Sequence, residues 1–259
     1  MQGILKTIIN RSSGYFEMPI DILATLLLTT IIQSLFGVGI LLFGTPLLLL
    51  LGYDFSYTLS VLLPISIAIN MLQVIKHYTY IDLKLYKNIL LYSIPFIILF
   101  LFTITNISVN IALIIGLFLI FVAGKNISPR IEQALSAFMQ YEKTYLVLMG
   151  VVHGITNLGG SLLTALVHEQ KQTKNSARVT IAICYSTFAI FQLLTLYFIG
   201  YDEGMPYTDN MMLLQISVIV FLFTEEFLYA RIDDQKYSQL FTAFLAISGI
   251  LLIFKSLYS

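Results

Sequence analysis

Charged residues are scarce in this chain, and those present are clustered. Asp, Glu, Lys and Arg make up 11% of the 259 residues, against about 25% in ordinary soluble domains. The chain therefore lacks the charge needed to cover a soluble surface. Its 14 basic and 14 acidic residues cancel, so no face for a polyanion is expected, and nucleic acid is excluded as a partner.

Several chemical signatures are also missing. The single cysteine, Cys184, rules out an internal disulfide framework. Phosphate-loop and dinucleotide signatures are absent, which disfavours ATP-driven pumping by this chain alone. No close nucleophile–base group is visible, and the three histidines are too scattered for a metal site. We therefore predict no enzyme activity, no cofactor and no metal.

Long uncharged runs are what the chain has instead. Hydrophobic residues make up 58% of the sequence, and the mean hydropathy is +0.88. A helix needs roughly 20 apolar residues to cross the hydrocarbon core. The uncharged runs are residues 22–53, 55–75, 88–124, 144–168, 179–201, 210–224 and 237–254. They predict an all-α, polytopic helical membrane protein with about seven to eight spans.

The first run contains a cluster of helix breakers. Residues 33–46 read QSLFGVGILLFGTP, and a similar stretch, HGITNLGGSLLTAL, returns at residues 153–166. On this offset of 120, Gly39 falls on Gly159 and Ser66 on Ser186. Glycine permits a left-handed backbone and proline removes a hydrogen-bond donor. Two broken apolar segments at matching places predict an internal repeat and a transporter site near the membrane midplane.

The repeat gives the predicted organisation: a first repeat at residues 1–127, an interfacial connector at 128–143 and a second repeat at 144–259. Lys and Arg in short loops indicate the cytoplasmic side. They favour a second half whose first segment is re-entrant and whose spans run opposite to those of the first half. Symmetry then makes segment one re-entrant from outside, which conflicts with a cytoplasmic Lys6 and Arg11. Eight spans in parallel order remain the alternative.

The two glycine stretches carry a family resemblance. QSLFGVGILLFGTPLLLLLGY and HGITNLGGSLL resemble the TauE/SafE sulfite exporter family of anion permeases, and the resemblance in hydropathy covers nearly the whole chain. Gly37-Val38-Gly39-Ile40 is a reduced version of the family's glycine-rich run, and Leu166 stands where a proline often occurs. The resemblance implies transport of sulfite, sulfonates or related organosulfur anions in the cytoplasmic membrane, with the exact substrate left open.

The broken segments also suit an anion on physical grounds. A helix that restarts after a break presents free N–H groups and the positive end of its dipole. Neutral polar side chains near the breaks can replace the hydration shell of an oxyanion without a buried cation. The predicted substrate-binding residues are Gln33, Ser34, Gly37, Gly39, Thr45, Ser66, Asn70, His153, Thr156, Asn157, Gly159, Gly160, Ser161 and Ser186.

Other interpretations of these residues stay open. The glycines would also permit close helix packing. Ser66 and Asn70 share a helix face with Gln73, which suits either a substrate-facing stripe or hydrogen bonds between spans. His153 is either a proton-coupling residue or a histidine hydrogen-bonded within the bundle.

Charged residues at span ends have plainer interpretations. We interpret Arg178 as snorkelling to the headgroups, with attraction of anions to the cytoplasmic mouth as the alternative. We interpret Glu225 and Glu226 as a solvated pair, with a cation or proton site as the alternative.

The predicted function is therefore a multi-pass permease of the cytoplasmic membrane that moves a small oxyanion by alternating access. Proton symport, antiport and facilitated diffusion are all left open, as is homo-oligomer formation. The alternative is an intramembrane enzyme or assembly factor without transport activity.

Overall fold

The structure, a computed structural model, describes residues 19–107, 109–228 and 234–258. This part of the chain is helical, with one 3-10 turn at Tyr78–Tyr80 and no strand, which confirms the all-α class. The helices are α1 Ile20–Phe36, α2 Ile40–Leu51, α3 Phe55–His77, α4 Leu83–Tyr92, α5 Ile94–Asn106, α6 Ile111–Ile127, α7 Pro129–Met139, α8 Glu142–Thr156, α9 Gly160–Glu169, α10 Lys174–Phe198, α11 Tyr207–Leu228 and α12 Asp234–Tyr258.

Short polar side chains start several of these helices. Asp54 accepts a hydrogen bond from the Ser56 N–H at the start of α3. Asp82 does the same for α4, and Thr173 for α10. Each side chain satisfies a backbone donor that has no partner inside its helix. These caps fix where the helices begin after each loop.

Within the described residues, four stretches of helix are long and apolar enough to cross a membrane. They are Phe55–Tyr80, Leu83–Asn106, Lys174–Phe198 and Tyr207–Glu225. A fifth is counted if α6 and α7, bent by 102° at Ser128, form one broken span. The protein is a polytopic helical membrane protein, and its seven to eight spans stay a prediction.

The first segment of each half is broken, as predicted, and folds back as a helical hairpin. Asp21 at the start of α1 accepts a hydrogen bond of 2.8 Å from the hydroxyl of Tyr53, just after α2. Partial burial, and then this hydrogen bond, raise the pKa of Tyr53 to about 12. The hydroxyl therefore keeps its proton, and keeps donating to Asp21, at physiological pH. The α1–α2 hairpin thus starts and ends at one end of the bundle.

The α8–α9 hairpin starts and ends at the opposite end. Glu142, the first residue of α8, accepts a hydrogen bond of 2.6 Å from the side-chain nitrogen of Asn88 in α4. Glu169, the last residue of α9, accepts a hydrogen bond of 3.2 Å from the hydroxyl of Ser136 in α7. The next loop is joined to the start of α4 through Gln172, whose side-chain amide donates a hydrogen bond of 3.0 Å to the Asp82 carboxylate.

The two ends differ in charge. We call the end with the connector helix α7 the basic end; its loops and helix ends carry Lys76, Lys84, Lys87, Lys125, Arg130, Lys143, Lys171 and Lys174. We call the other end the acidic end; it carries Asp21, Asp54, Asp202, Glu203 and Asp209. Lys255 also lies at the acidic end, where its ammonium donates to the carbonyl oxygens of Leu49 and Leu50 at the end of α2. The α1–α2 hairpin therefore enters from the acidic end and α8–α9 from the basic end.

Helices of the two halves pack together most extensively in four pairs. Helix α3 lies along α10, and α6 lies along α12. Helix α1 packs on α11, and α8 packs on α5. Gly116 and Gly249 meet where α6 crosses α12, and a Cβ atom on either would lie 2.9 Å from the other's carbonyl oxygen. Small residues at such a crossing let the two backbones approach closely.

The connector contains the helix α7. Leu135 and Met139 of α7 are buried against the bundle. The position of this helix at the membrane surface stays a prediction.

Candidate functional site

The first hairpin turns at Gly37. Its φ of +74° lies in the left-handed region that favours glycine. The side chain of Gln33 spans the break, because its amide nitrogen donates 2.8 Å to the Gly37 carbonyl and its amide oxygen accepts 3.2 Å from the Ile40 N–H. Gln33 is 3% exposed. It satisfies backbone groups that the broken helix leaves without helical partners.

Gln33 also starts a chain of buried hydrogen bonds. Its amide nitrogen donates 3.1 Å to the Asn70 side-chain oxygen. Asn70 in turn donates to the hydroxyl and the carbonyl oxygen of Ser66. These three predicted site residues do come together, but each already has protein partners. Their hydrogen bonds hold the first hairpin tip against α3.

The second hairpin turns at Asn157, which has a φ of +61°. Asn157 is 1% exposed, and its side-chain nitrogen donates 2.9 Å to the Thr45 hydroxyl in α2. Thr156 supports the same turn, since its hydroxyl accepts 3.1 Å from the Leu158 N–H. The predicted residues Thr45, Thr156 and Asn157 are therefore brought together where the two hairpins touch.

The hairpins overlap inside the bundle. Helix α1 has 17 residues and α8 has 15, so each rises about 22–25 Å. Asn157 at the tip of α8 meets Thr45, which lies within α2 and not at its start. The tip of the second hairpin therefore reaches past the tip of the first.

His153 lies at the end of α8, fully buried. Its Nε2 is 3.2 Å from the side-chain oxygen of Gln192 in α10. Its ring packs on Phe188, with 4.7 Å between ring centroids. The histidine is thus hydrogen-bonded within the bundle, as one of the two interpretations of its sequence position held; a role in proton coupling stays a prediction.

The glycines at positions 39 and 159 lie against the preceding helix of their own hairpin. A Cβ atom on Gly39 would stand 2.5 Å from the Gln33 nitrogen, and one on Gly159 would stand 2.5 Å from the His153 Cβ. Neither has a positive φ, so the left-handed residues are Gly37 and Asn157 instead. Gly160 is covered by the Tyr185 ring, whose hydroxyl occupies the space of a Cβ atom. All three glycines permit close packing at the breaks.

Arg178 corrects one interpretation from the sequence. It is 7% exposed and does not snorkel to the surface. A Cβ atom on Gly37 would lie 3.2 Å from the Arg178 side chain, so the arginine covers the first hairpin tip. Its guanidinium is 2.8 Å from the carboxylate of Glu225 in α11, and the Lys76 ammonium is 3.8 Å from that carboxylate.

The structure also corrects the interpretation of Glu225. The sequence suggested that it is solvated, but it is 8% exposed and ion-paired. The side chain of Glu226 lies outside the described residues. Sequence gives no direct signal for the Arg178–Glu225 pair, because the partners are far apart along the chain and each lies at the end of an apolar run.

Several buried polar atoms have no hydrogen-bond partner within the described residues. Among them are atoms of Gln73, His153, Asn157, Ser186 and Gln192, in α3, α8, α10 and the second hairpin turn. A buried polar group without a partner costs free energy. In contrast, Ser34 is bonded to Thr224 of α11 and to the Thr30 carbonyl, so its hydroxyl faces away from the second hairpin.

A cavity of about 420 Å³ opens between α6, α7 and α9. Its walls include Ser161, Thr164 and His168 of α9, together with Lys125 of α6. Val38, next to the first hairpin tip, also lines it. The hydroxyl of the predicted site residue Ser161 donates 2.9 Å to the Leu158 carbonyl. In the part of the chain described here, no group of three His, Cys, Asp or Glu side chains could hold a metal ion.

Comparison with known proteins gives one result. The family model described as "Sulfite exporter TauE/SafE" matches residues 22–252, which is nearly the whole chain and includes both hairpins. No curated protein and no solved structure matches the chain. This match and the apolar helices agree on a membrane transporter: the chain belongs to the sulfite exporter TauE/SafE family.

Proposed function

We propose that this protein is a permease that moves a small sulfur oxyanion or organosulfonate across the cytoplasmic membrane. The two repeats, residues 1–127 and 144–259, are joined by the connector 128–143 and work by alternating access. The basic end faces the cytoplasm, since Lys and Arg in short loops favour that side.

One observation carries this proposal: two broken helical hairpins enter the bundle from opposite ends and overlap inside it. Their left-handed residues, Gly37 and Asn157, are related by the offset of 120 that the sequence suggested. Inverted hairpins of this kind place broken backbone at membrane depth, where transporters bind substrates. A purely structural bundle would not require such breaks in corresponding places.

The packing of the glycines supports an inverted repeat. A Cβ atom on Gly39 would meet the Thr29 carbonyl and the Gln33 backbone. A Cβ atom on Gly159 would meet the Met149 carbonyl and the side chain and backbone of His153. Thr29 and Gln33 of the first hairpin correspond to Met149 and His153 of the second by the same offset of 120.

The helix contacts support the same relation. An inverted repeat that exchanges the halves exchanges α1 with α8 and α5 with α11. A contact of α1 with α11 must then be matched by a contact of α8 with α5. Both contacts are present.

An anion fits the polar groups near the second tip. Gln192 is buried, and its amide nitrogen has no partner among the described residues. Asn157 donates one of its two side-chain N–H groups to Thr45, so only the second is left for the anion, and its unpaired amide oxygen is an acceptor that does not contribute. The N-terminus of α9 follows this turn. Neutral donors and a helix N-terminus stabilise an anion without the cost of a buried permanent charge. Ser186 and His153 complete the proposed site. In the first half, Gln33, Ser66 and Asn70 hold the tip in place and form the wall of the site.

Reconstituted vesicles test the function directly. The purified full-length chain should give saturable uptake of at least one labelled anion among sulfite, taurine, sulfoacetate and thiosulfate. Competition among the four identifies the substrate, and a pH gradient across the vesicles tests proton coupling. Fluxes equal to those of empty vesicles for all four anions, with a monodisperse protein, would contradict the proposed function.

A further inference from the structure

We propose that the cavity between α6, α7 and α9 is the open entrance for the anion from the basic end. The contact between Asn157 and Thr45 is the closed barrier on the path to the acidic end. The structure is then a carrier open to one side only. This inference rests on the proposed function and adds that the structure shows the conformation open toward the basic end.

The offset of 120 residues relates two contact regions between the hairpins. Asn157 corresponds to Gly37, and Thr45 corresponds to Ala165. In an inverted repeat, the contact of Asn157 with Thr45 on one side has its counterpart at Gly37 and Ala165 on the other. The two places are the equivalent gates of an alternating-access carrier.

The gate toward the acidic end is closed. The side-chain nitrogen of Asn157 donates 2.9 Å to the Thr45 hydroxyl. Thr45 is 0% exposed, and so is Leu158, which follows Asn157 at the tip. A hydrogen bond among fully buried side chains joins the two hairpins at this place.

The equivalent gate toward the basic end is open on the side of Val38 and Ala165, while Arg178 covers Gly37 itself. Gly37 has no side chain and Ala165 has only a methyl group, so the hydrogen bond of the other gate cannot form here. The cavity of about 420 Å³ lies at this place instead, lined by both Val38 and Ala165. The same part of the fold is therefore sealed in one half and accessible in the other.

The lining is polar and charged. Lys125 contributes an ammonium group, and Glu132 and Glu169 contribute carboxylates. The hydroxyls of Ser161 and Thr164 donate to the carbonyl oxygens of Leu158 and Gly160. The lining therefore does not hold an anion tightly, and the inference rests on where the cavity opens.

Thiol labelling tests the inference without relying on transport. Single cysteines replace Ala165 or Thr45 in a Cys184→Ser background, with Lys174→Cys as the accessible control at the basic end. A membrane-impermeant thiol reagent added at the basic end should label Ala165→Cys roughly tenfold or more faster than Thr45→Cys. Equal labelling of both, or no labelling of Ala165→Cys while Lys174→Cys reacts, would overturn the inference.

A reversible cross-link provides a second measurement. Thr45→Cys with Asn157→Cys, joined by a short bifunctional thiol reagent, should leave a third cysteine at position 165 as reactive from the basic end as it is before cross-linking. The readout is labelling, because both cross-linked positions belong to the proposed site. Loss of labelling at position 165 in the cross-linked protein would overturn the inference. Absence of flux for every sulfur anion in the unmodified protein would instead contradict the proposed function, whatever the labelling pattern.

Discussion

Arg178 and Glu225 form their ion pair where the two side chains are only 6% and 9% exposed. Charges removed from water lose hydration, so such a pair is stable only while each partner satisfies the other. Lys76, 56% exposed, gives the carboxylate a second and weaker partner at 3.8 Å. The pair links α10 to α11 directly above the tip of the first hairpin.

Removing one partner of this pair should destabilise the protein strongly. Arg178→Gln should lower the free energy of unfolding by about 3–5 kcal/mol, because Glu225 loses its main partner. The double variant with Glu225→Gln should cost less than the sum of the single variants. Thermal unfolding in detergent measures this, with the exposed Lys84→Gln as a control. Additive effects would show that the pair contributes no coupling energy.

The same variant separates two roles of Arg178 in transport. If the arginine only stabilises the first tip and raises the local anion concentration, Arg178→Gln should slow transport while the order of preferred anions is kept. The four labelled anions used for the unmodified protein measure this order. A change of order in a folded variant would place the guanidinium in contact with the substrate.

The glycines at the breaks should not tolerate a methyl group. Gly39→Ala and Gly159→Ala each place a Cβ atom 2.5 Å from an atom of the preceding helix, and should cost roughly 1–3 kcal/mol. Gly124→Ala is the matched control, because its Cβ atom would meet nothing closer than 3.6 Å. It should be neutral or stabilise α6 by up to about 1 kcal/mol. Unfolding midpoints in detergent decide between these outcomes.

Two substitutions of Asn157 separate its backbone from its side chain. Asn157→Gly keeps the left-handed turn but loses the donor to Thr45, whereas Asn157→Leu also adds strain of about 1–2 kcal/mol. If the amide contacts the anion, both should weaken binding by roughly 10- to 150-fold. Normal transport by both variants would place the substrate elsewhere.

At the scale of elements, the hairpins explain what the sequence could predict. Glycine and proline mark a break locally, so both breaks were predictable from QSLFGVGILLFGTP and HGITNLGGSLLTAL. The left-handed residue of the second break is Asn157 rather than a glycine, and only the fold shows which residue turns. The loop charges left open from which end of the bundle the first hairpin enters. The hydrogen bond between Asp21 and Tyr53 shows that both ends of this hairpin lie at the acidic end.

The crossing of α10 is testable by labelling. Single cysteines at Lys174 and Asp202, in the Cys184→Ser background, should react from opposite sides, with position 174 on the cytoplasmic side. The two positions flank α10, so the pair reports both that it crosses and in which direction. Labelling of position 174 from outside would contradict the proposed orientation.

At the scale of the whole molecule, the membrane class followed from the sequence because scarce, clustered charge is a property of composition. Contacts between segments that are distant along the chain could not be predicted from the sequence. The pairing of α1 with α11, and of Arg178 with Glu225, joins residues that no local pattern relates. The cavity at Val38 and Ala165 was equally hidden, since it arises where the two halves differ in packing.

The overlap of the hairpins has an electrical consequence. If the cavity is the entrance proposed above, it brings the basic end to the level of Val38 and Ala165. The membrane voltage would then fall mainly between this level and the acidic end, a shorter distance than the full hydrocarbon thickness. An anion crossing it exchanges about 2.3 kcal/mol per elementary charge with each 100 mV. A potassium diffusion potential imposed on vesicles should therefore drive uncompensated anion flux strongly, and leave flux neutralised by co-transported protons unchanged.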